Sequence, residues 1–440
     1  MQIEGWLERA TRLAPERVAL ETPAERWSYG ELHGLAHVGA GALIARGAGH
    51  GKPVAIALPA GPAFVQALHA CLLLGAIAVP VDPRLSRSEQ ERILHGAAVV
   101  IDEPLPREGG TNLNGSRHQL DDPALIVHTS GTTAAPRPVT LTYANILWSA
   151  LGSGVALGVD PAERWLCTLP LSHVGGLSIL LRSTIYATTA VVHERFETDR
   201  VLAALRAGEV TLVSLVATTL GRLLDAGLDH PPALRLALTG GGPVPAALVE
   251  RARGAGVPVS LTYGLTETCS QVTTTPLAEL DAEPPSAGPP LFCTRLRIAE
   301  DGEILVAGPT VAPSAELAEG WLATGDLGRL DERGRLQVTG RKADTIVSGG
   351  ENVAPAEVEA VLEAHPGVLE AAVLARADDQ WGEAVTAIVV ARPGSALEAE
   401  ELRAHCSQAL APFKVPKQFS IVSQPLPRTP SGKLLRRELG

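Results

Sequence analysis

A chain of 440 residues that is 45% hydrophobic and 19% charged has apolar material for more than one core, and its composition excludes a disordered or fibrous protein. A net charge of −11 without a long basic run argues against nucleic acid or anionic membrane as the main partner, so a polyanionic ligand must be met by a few placed cations. The five cysteines, Cys71, Cys167, Cys269, Cys293 and Cys406, are far apart and lack CxxC spacing, which argues against a disulfide framework or a cysteine zinc site. Met1-Gln2-Ile3-Glu4-Gly5-Trp6 carries no apolar leader core. The most apolar stretch, Val65 to Val81, contains Gln66 and His69 and reaches Pro80, which reads as a buried helix and then a strand rather than a membrane span. A soluble, cytoplasmic protein is expected.

In chain order, the periodicity predicts a helix over Tyr29 to Ala45, a strand at Val54 to Leu58, a helix over Ala63 to Leu74 and a strand at Ala76 to Val81. That alternation implies a layered α/β body. The apolar run Ala124 to Val127 reads as a further buried strand. The rhythm continues through a strand at Arg164 to Leu169, a helix over Thr198 to Ala207 and a strand at Leu234 to Thr239. From about Ala287 the texture changes to short strands, including Gly302 to Val306 and Gly334 to Val338, as in a small β-rich subdomain. After Gly340 it becomes α+β, with a helix from Pro355 to about Ala364, strands at Ala371 to Ala375 and Ala384 to Val390, and a helix over Leu397 to Leu410 that opens with glutamates. The expected organisation is an α/β fold. A large N-terminal layered body with its β-rich subdomain spans residues 1–340, and a small α+β domain spans residues 341–440.

The chemistry concentrates in a few segments. His128-Thr129-Ser130-Gly131-Thr132-Thr133-Ala134-Ala135-Pro136-Arg137-Pro138-Val139 packs hydroxyls, a glycine and a cation into one loop leaving the C-terminal end of a strand. It lacks the Gly-Lys-Ser/Thr ending of a Walker A loop, and by itself it reads either as a polyphosphate cradle or as a solvated turn. Further segments follow: Thr239-Gly240-Gly241-Gly242-Pro243, Tyr263-Gly264-Leu265-Thr266-Glu267, Thr324-Gly325-Asp326, Gly340-Arg341-Lys342-Ala343-Asp344 and Pro427-Arg428-Thr429-Pro430-Ser431-Gly432-Lys433.

In this order and spacing the segments resemble the acyl-adenylate-forming superfamily of acyl-CoA synthetases, adenylation domains and luciferases, over nearly the whole chain. The resemblance implies that a carboxylic acid and ATP give acyl-AMP and pyrophosphate, after which a thiol displaces AMP. It assigns ATP, Mg²⁺ and CoA to the reaction. Lys433 would be the catalytic lysine, carried on a mobile C-terminal lid that pivots at Ala343. Thr266 would meet the α-phosphate, and Glu267 would be a catalytic carboxylate and the Mg²⁺ ligand. Thr129, Ser130, Gly131, Thr132, Thr133 and Arg137 would hold the phosphates. Gly240, Gly241 and Gly242 would admit the base edge, Tyr263 would stack on adenine, and Asp326 would accept the ribose hydroxyls with Arg341 reinforcing it.

Arg164-Trp165-Leu166-Cys167-Thr168-Leu169-Pro170-Leu171-Ser172-His173-Val174-Gly175-Gly176-Leu177-Ser178 and Arg182-Ser183-Thr184-Ile185-Tyr186 are similar to the o-succinylbenzoate–CoA ligases of menaquinone synthesis. That substrate is an aromatic dicarboxylate, so one carboxylate reacts and the other needs a partner. Arg182 is the first candidate, with His173 and Gly176 as further contacts. Other readings are a CoA ligase for another aromatic or aliphatic acid, a stand-alone adenylation protein that loads a carrier, and a weakly active binding relative. The last is motivated by the phosphate loop, where Ala134 and Pro138 replace glycines and Arg137 replaces lysine.

Overall fold

The computed structural model describes residues 1–109, 115–129, 137–315, 317–378, 381–428 and 434–439. Its first sheet has five strands in the order Val99–Ile101, Pro53–Ile56, Ile77–Pro80, Pro123–Thr129 and Arg137–Thr142, all parallel except the last, which returns antiparallel as a hairpin. Its second has eight, in the order Ser270–Thr274, Val259–Leu265, Leu236–Thr239, Leu212–Leu215, Arg164–Cys167, Thr189–Val192, Val18–Glu21 and Arg26–Ser28. The six inner strands of that sheet are parallel, and the two edges are antiparallel.

Helices α1 (Trp6–Leu13), α2 (Tyr29–Ala45) and α3 (Pro62–Leu74) precede α4 (Arg87–Leu94), α5 (Tyr143–Leu157) and α6 (Val174–Tyr186). Apart from α4, these pack into one core with the facing sides of both sheets. Helix α4 covers the outer face of the first sheet through Ile93. Helices α7 (Thr198–Arg206), α8 (Ala217–Asp225) and α9 (Ala246–Gly254) cover the outer face of the second. The strand Arg164–Cys167 illustrates the layering: Trp165 and Cys167 enter the central core, whereas Leu166 enters the outer one. A strand buried on both faces must be apolar throughout, which is why it reads as a run and not as an alternation. The apolar stretch from Val65 onward is the buried helix α3 and then an inner strand, as expected, and no described helix is long and apolar enough to cross a membrane.

A small five-stranded sheet follows. It comprises Arg295–Ile298, Glu303–Ala307, Trp321–Leu330 and Leu317–Ala318, with Leu336–Arg341 on the other side of Trp321–Leu330. Beyond it lies a second small sheet in which Val368–Asp378 and Gly382–Ala391 form a long hairpin, and Gln418–Val422 adds parallel to the latter. Helices α10 (Pro355–Glu363) and α11 (Ala399–Ala409) pack on it around Val358, Leu362, Leu402 and Cys406. The expected class, an α/β body with a β-rich portion and a smaller α+β portion after it, is the architecture found.

Tyr29 links two layers of the central core. It is 1% exposed at the start of α2, and its hydroxyl lies 2.8 Å from the carbonyl oxygen of Ser183 and 2.7 Å from that of Thr188, where α6 ends. Deleting only that hydroxyl leaves buried carbonyls short of a donor. Tyr29→Phe is expected to cost about 1–3 kcal/mol, read as a lower denaturant midpoint with an unchanged slope.

Candidate active site

Thr129, Gly240 and Thr266 stand at the C-terminal ends of strands in the two large sheets, the position where open α/β sheets bind ligands. Thr129 ends one strand, and its hydroxyl donates to the carbonyl of Arg137 across the hairpin at 3.4 Å. Ser130, Gly131, Thr132, Thr133 and Ala134 lie outside the described residues. Arg137 is exposed and opens the returning strand. Pro138 sits on that edge strand opposite His128. Two residues on, the N–H of Thr140 points away from the partner strand, to Ser314 Oγ at 3.1 Å. Alternate residues of a strand orient their amides alike, so the donor that Pro138 lacks is not a ladder donor.

The same 309–314 segment joins this hairpin to the Thr266–Glu267 turn. Ala312 N–H donates to the carbonyl of Glu267 at 2.7 Å, and Asn145 Nδ2 donates to the carbonyls of Pro309 and Val311 at 2.8 and 3.0 Å. Thr266–Thr268 is a single 3-10 turn, not the start of an α-helix. The half-buried Glu267 carboxylate has no hydrogen-bond or cationic partner among the described residues. It is a hard oxygen donor free to meet a hard cation.

Gly240 follows the strand Leu236–Thr239, and a Cβ there would lie 2.6 Å from the carbonyl oxygen of Thr262, so only glycine lets these two strand ends approach. Gly241 and Gly242 continue the turn at the same edge. Tyr263 is 9% exposed, packed beside Val272, Ile304, Val306 and Leu336. Its hydroxyl donates to Asp326 Oδ2 at 2.9 Å, while Arg341 Nε holds Asp326 Oδ1 at 2.9 Å. Burial, and then the charge of Asp326, push the Tyr263 phenol well above its ordinary value, so it remains a donor. Asp326 and Arg341 are also direct cross-strand partners. The neighbouring Lys342 pairs with Asp301 at 2.6 Å and Glu303 at 2.8 Å, and Glu303 in turn accepts from the N–H of Gly325 at 2.8 Å. Ala343 lies at the centre of the short turn Lys342–Asp344.

Lys433 lies outside the described residues, but both ends of its loop are anchored. Arg428 and Leu434 form a bridge pair, Leu435 N–H donates to the carbonyl of Pro427 at 2.8 Å, and Arg428 pairs with Glu370 at 2.8 Å. Arg436 then binds Glu359, the carbonyl of Val373 at 3.0 Å, and Asp344 at 3.5 Å beside the Ala343 turn.

His173 stands at the N-cap position of α6 without a side-chain capping bond, and its Nε2 is 3.9 Å from Asp82 Oδ2. Burial lowers its pKa, and the Asp82 charge only partly offsets this. Gly176 is required by close contact, since a Cβ would lie 2.5 Å from the carbonyl oxygen of Pro170. Arg182, deeper on the same helix, is 2% exposed and has no carboxylate partner among the described residues. It donates to Ser149 Oγ at 3.1 Å, stands over the Trp165 ring at 5.9 Å and leaves Nε without a partner. Burial pushes its pKa down, yet a guanidinium stays charged. Beside it lies a cavity of about 10 Å³, lined by Ser149, Leu177, Ser178, Arg182 and Cys269 among others.

Sequence reasoning missed the carboxylate nearest His173. Asp82 follows the strand Ile77–Pro80, forks with Arg84 at 2.6–2.8 Å and accepts from Ser172 Oγ at 3.1 Å. The available signal was Asp82-Pro83-Arg84, a charged pair directly after a buried apolar run.

Residues 7–314 match the family model described as AMP-binding enzyme, and residues 357–433 match that of the AMP-binding enzyme C-terminal domain. The chain is 38% identical over 478 residues to the 2-succinylbenzoate–CoA ligase of Bacillus subtilis (strain 168), spanning 99% of this chain and 97% of the relative. It is 39% identical over 480 residues to that of Bacillus licheniformis, spanning all of both. Among solved structures it is similar to o-succinylbenzoate CoA synthetase from Bacillus subtilis in complex with the acyl-adenylate intermediate OSB-AMP. That match has a TM-score of 0.92 and 38% identity, and covers 100% of this chain and 98% of the other. The same synthetase with ATP and magnesium ion matches at a TM-score of 0.90 and 37% identity, covering 100% of each chain.

The Asp82 network makes a pH prediction. Burial alone would raise this carboxyl, but Arg84 and Ser172 outweigh it and hold its pKa below the ordinary 3.8. A depressed carboxylate stabilises the fold above its unfolded value, and that contribution is lost as pH falls through the folded value. Asp82→Asn should therefore lower the melting temperature at pH 7 and make the decline below about pH 4 shallower than in the wild type. Parallel acid limbs in the two proteins would show that Asp82 is not ionically coupled.

Proposed function

This chain belongs to the AMP-binding enzymes, and from that premise we propose that it is an ATP-dependent acid–thiol ligase, activating o-succinylbenzoate as acyl-AMP and passing the acyl group to CoA in menaquinone biosynthesis. Full-length likeness to 2-succinylbenzoate–CoA ligases supports the reaction. The observation that carries the choice of acid is Arg182, a buried cation left without a carboxylate, since an aromatic dicarboxylate supplies the missing charge. Direct pairing requires the adjoining cavity to widen from about 10 Å³.

A carboxylate approaching an anionic triphosphate is repelled, so the site must place donors and cations around the phosphoryl group. Thr129, Ser130, Gly131, Thr132, Thr133 and Arg137 would hold the departing pyrophosphate, and Thr266 would meet the α-phosphate. Glu267, half-buried and without a partner among the described residues, fits Mg²⁺, which when bound neutralises phosphate charge. Gly240, Gly241 and Gly242 give the base edge a close backbone approach, and Tyr263 would offer its ring to the adenine. Each Asp326 oxygen spends one lone pair, on Tyr263 or Arg341, and keeps another for a ribose hydroxyl. His173, near the Asp82 carboxylate, and Gly176 would border the acid. Lys433 would contact the incoming carboxylate and the bridging oxygen. Residues 341–440 would act as a lid on the 1–340 body, pivoting at Ala343 so that the CoA thiol can follow, in a cytoplasmic enzyme.

The test is pyrophosphate release with o-succinylbenzoate against a panel of acids, with and without CoA. Lys433→Ala should lower acyl-AMP formation by about two to three orders of magnitude, since an oriented cation in a dry site supplies roughly 3–4 kcal/mol. Thioester formation from preformed acyl-AMP should change little, and near wild-type ATP consumption would remove Lys433 from the mechanism. Arg182→Ala should raise KM for o-succinylbenzoate roughly ten- to hundredfold while affecting a monocarboxylic analogue much less. An equal effect on both acids would make Arg182 a structural arginine.

A further inference from the structure

Glu8 of α1 and His33 and His37 of α2 converge at a surface cleft of about 890 Å³ that shares no residue with the site above. His33 and His37 are four apart on one helix face, the spacing that presents two imidazoles to a single ion. Their Nε2 atoms are 3.0 Å apart, with ring centroids separated by 4.3 Å. One donor atom from each of the three side chains lies within 4.8 Å of the others, and all three residues are half-buried. The carboxylate is fixed from behind, because Glu8 accepts from both the backbone N–H and the hydroxyl of Ser116 at 2.5 Å. A ligand held in place by a second residue is the arrangement that tunes metal sites.

We propose that Glu8, His33 and His37 bind one divalent cation of the zinc class, joining α1 to α2 and, through Ser116, to the strand Arg117–Gln119. Two imidazoles and a carboxylate suit Zn²⁺ or Co²⁺ in tetrahedral geometry, with water as the fourth ligand. They do not suit Mg²⁺, which prefers oxygen ligands, so this site would not compete for the ion of the phosphate chemistry. Four of the five cysteines are buried, so thiols offer little competition.

The experiment uses the full, tag-free chain, stripped with chelator and kept in excess Mg²⁺, titrated with Co²⁺. The expected result is saturation at one equivalent with the visible bands of tetrahedral Co²⁺, bleached by Zn²⁺, and a Zn²⁺-dependent rise in melting temperature. His37→Gln should weaken Co²⁺ binding more than about a hundredfold, and Ser116→Ala roughly tenfold. X-ray absorption on the Zn²⁺-loaded wild type needs no variant and should count two imidazoles and no sulfur. Absence of a saturable Co²⁺ site, unchanged affinity in a folded His37→Gln protein, or sulfur in the zinc shell would each overturn the proposal.

Discussion

The carboxylate of Asp326, gripped by the Tyr263 hydroxyl on one oxygen and the Arg341 guanidinium on the other, is the contact on which the candidate site depends. Tyr263 belongs to a strand of the eight-stranded sheet, Asp326 to the β-rich portion, and Arg341 to the last strand before the turn containing Ala343. One buried anion thus ties the eight-stranded sheet to the small five-stranded one. Burying it unpaired would be costly, so the two donors and the carboxylate hold one another in register. The pairing of Lys342 with Asp301 and Glu303 repeats the device one residue later, in a more exposed setting where each ion pair contributes less.

Charge is distributed with the same economy. The chain is acidic overall, at −11, yet not every buried cation is given a carboxylate. Arg182 is the extreme case, enclosed by Trp165, Ser149 and Cys269, with burial also pushing the Cys269 thiol up to about 12 so that it supplies no counter-charge. A buried guanidinium with only a hydroxyl and an aromatic ring for company is poorly compensated. A carboxylate brought by a ligand would relieve it.

The outline of the fold was legible in the sequence because local patterns there agree with tertiary ones. Helix α2 spans the predicted Tyr29 to Ala45, and α3 begins one residue before Ala63 at Pro62, a residue suited to the first helical turn. Strands read short where pairing extends them: Ala371 to Ala375 is the middle of Val368–Asp378, lengthened by its hairpin partner Gly382–Ala391. The return of Arg137–Thr142 as an antiparallel strand was not legible, since Pro138 reads as a strand breaker until its place on an edge, with its nitrogen turned outward, is known.

By itself the sequence determined the α/β class, the order of elements and the identity of the chemistry-bearing segments, because periodicity and short motifs depend on residues near one another in the chain. Tertiary structure decided which of those groups meet. That Asp82 forks Arg84 and lies 3.9 Å from His173, 91 residues away, and that Tyr263 serves Asp326 through its hydroxyl, follow from the packing of one sheet against another. Pairings between distant elements leave no periodic trace, since each partner is locally only one polar residue at the end of an apolar run. It is the packing of helices between the two large sheets that fixes where those ends lie.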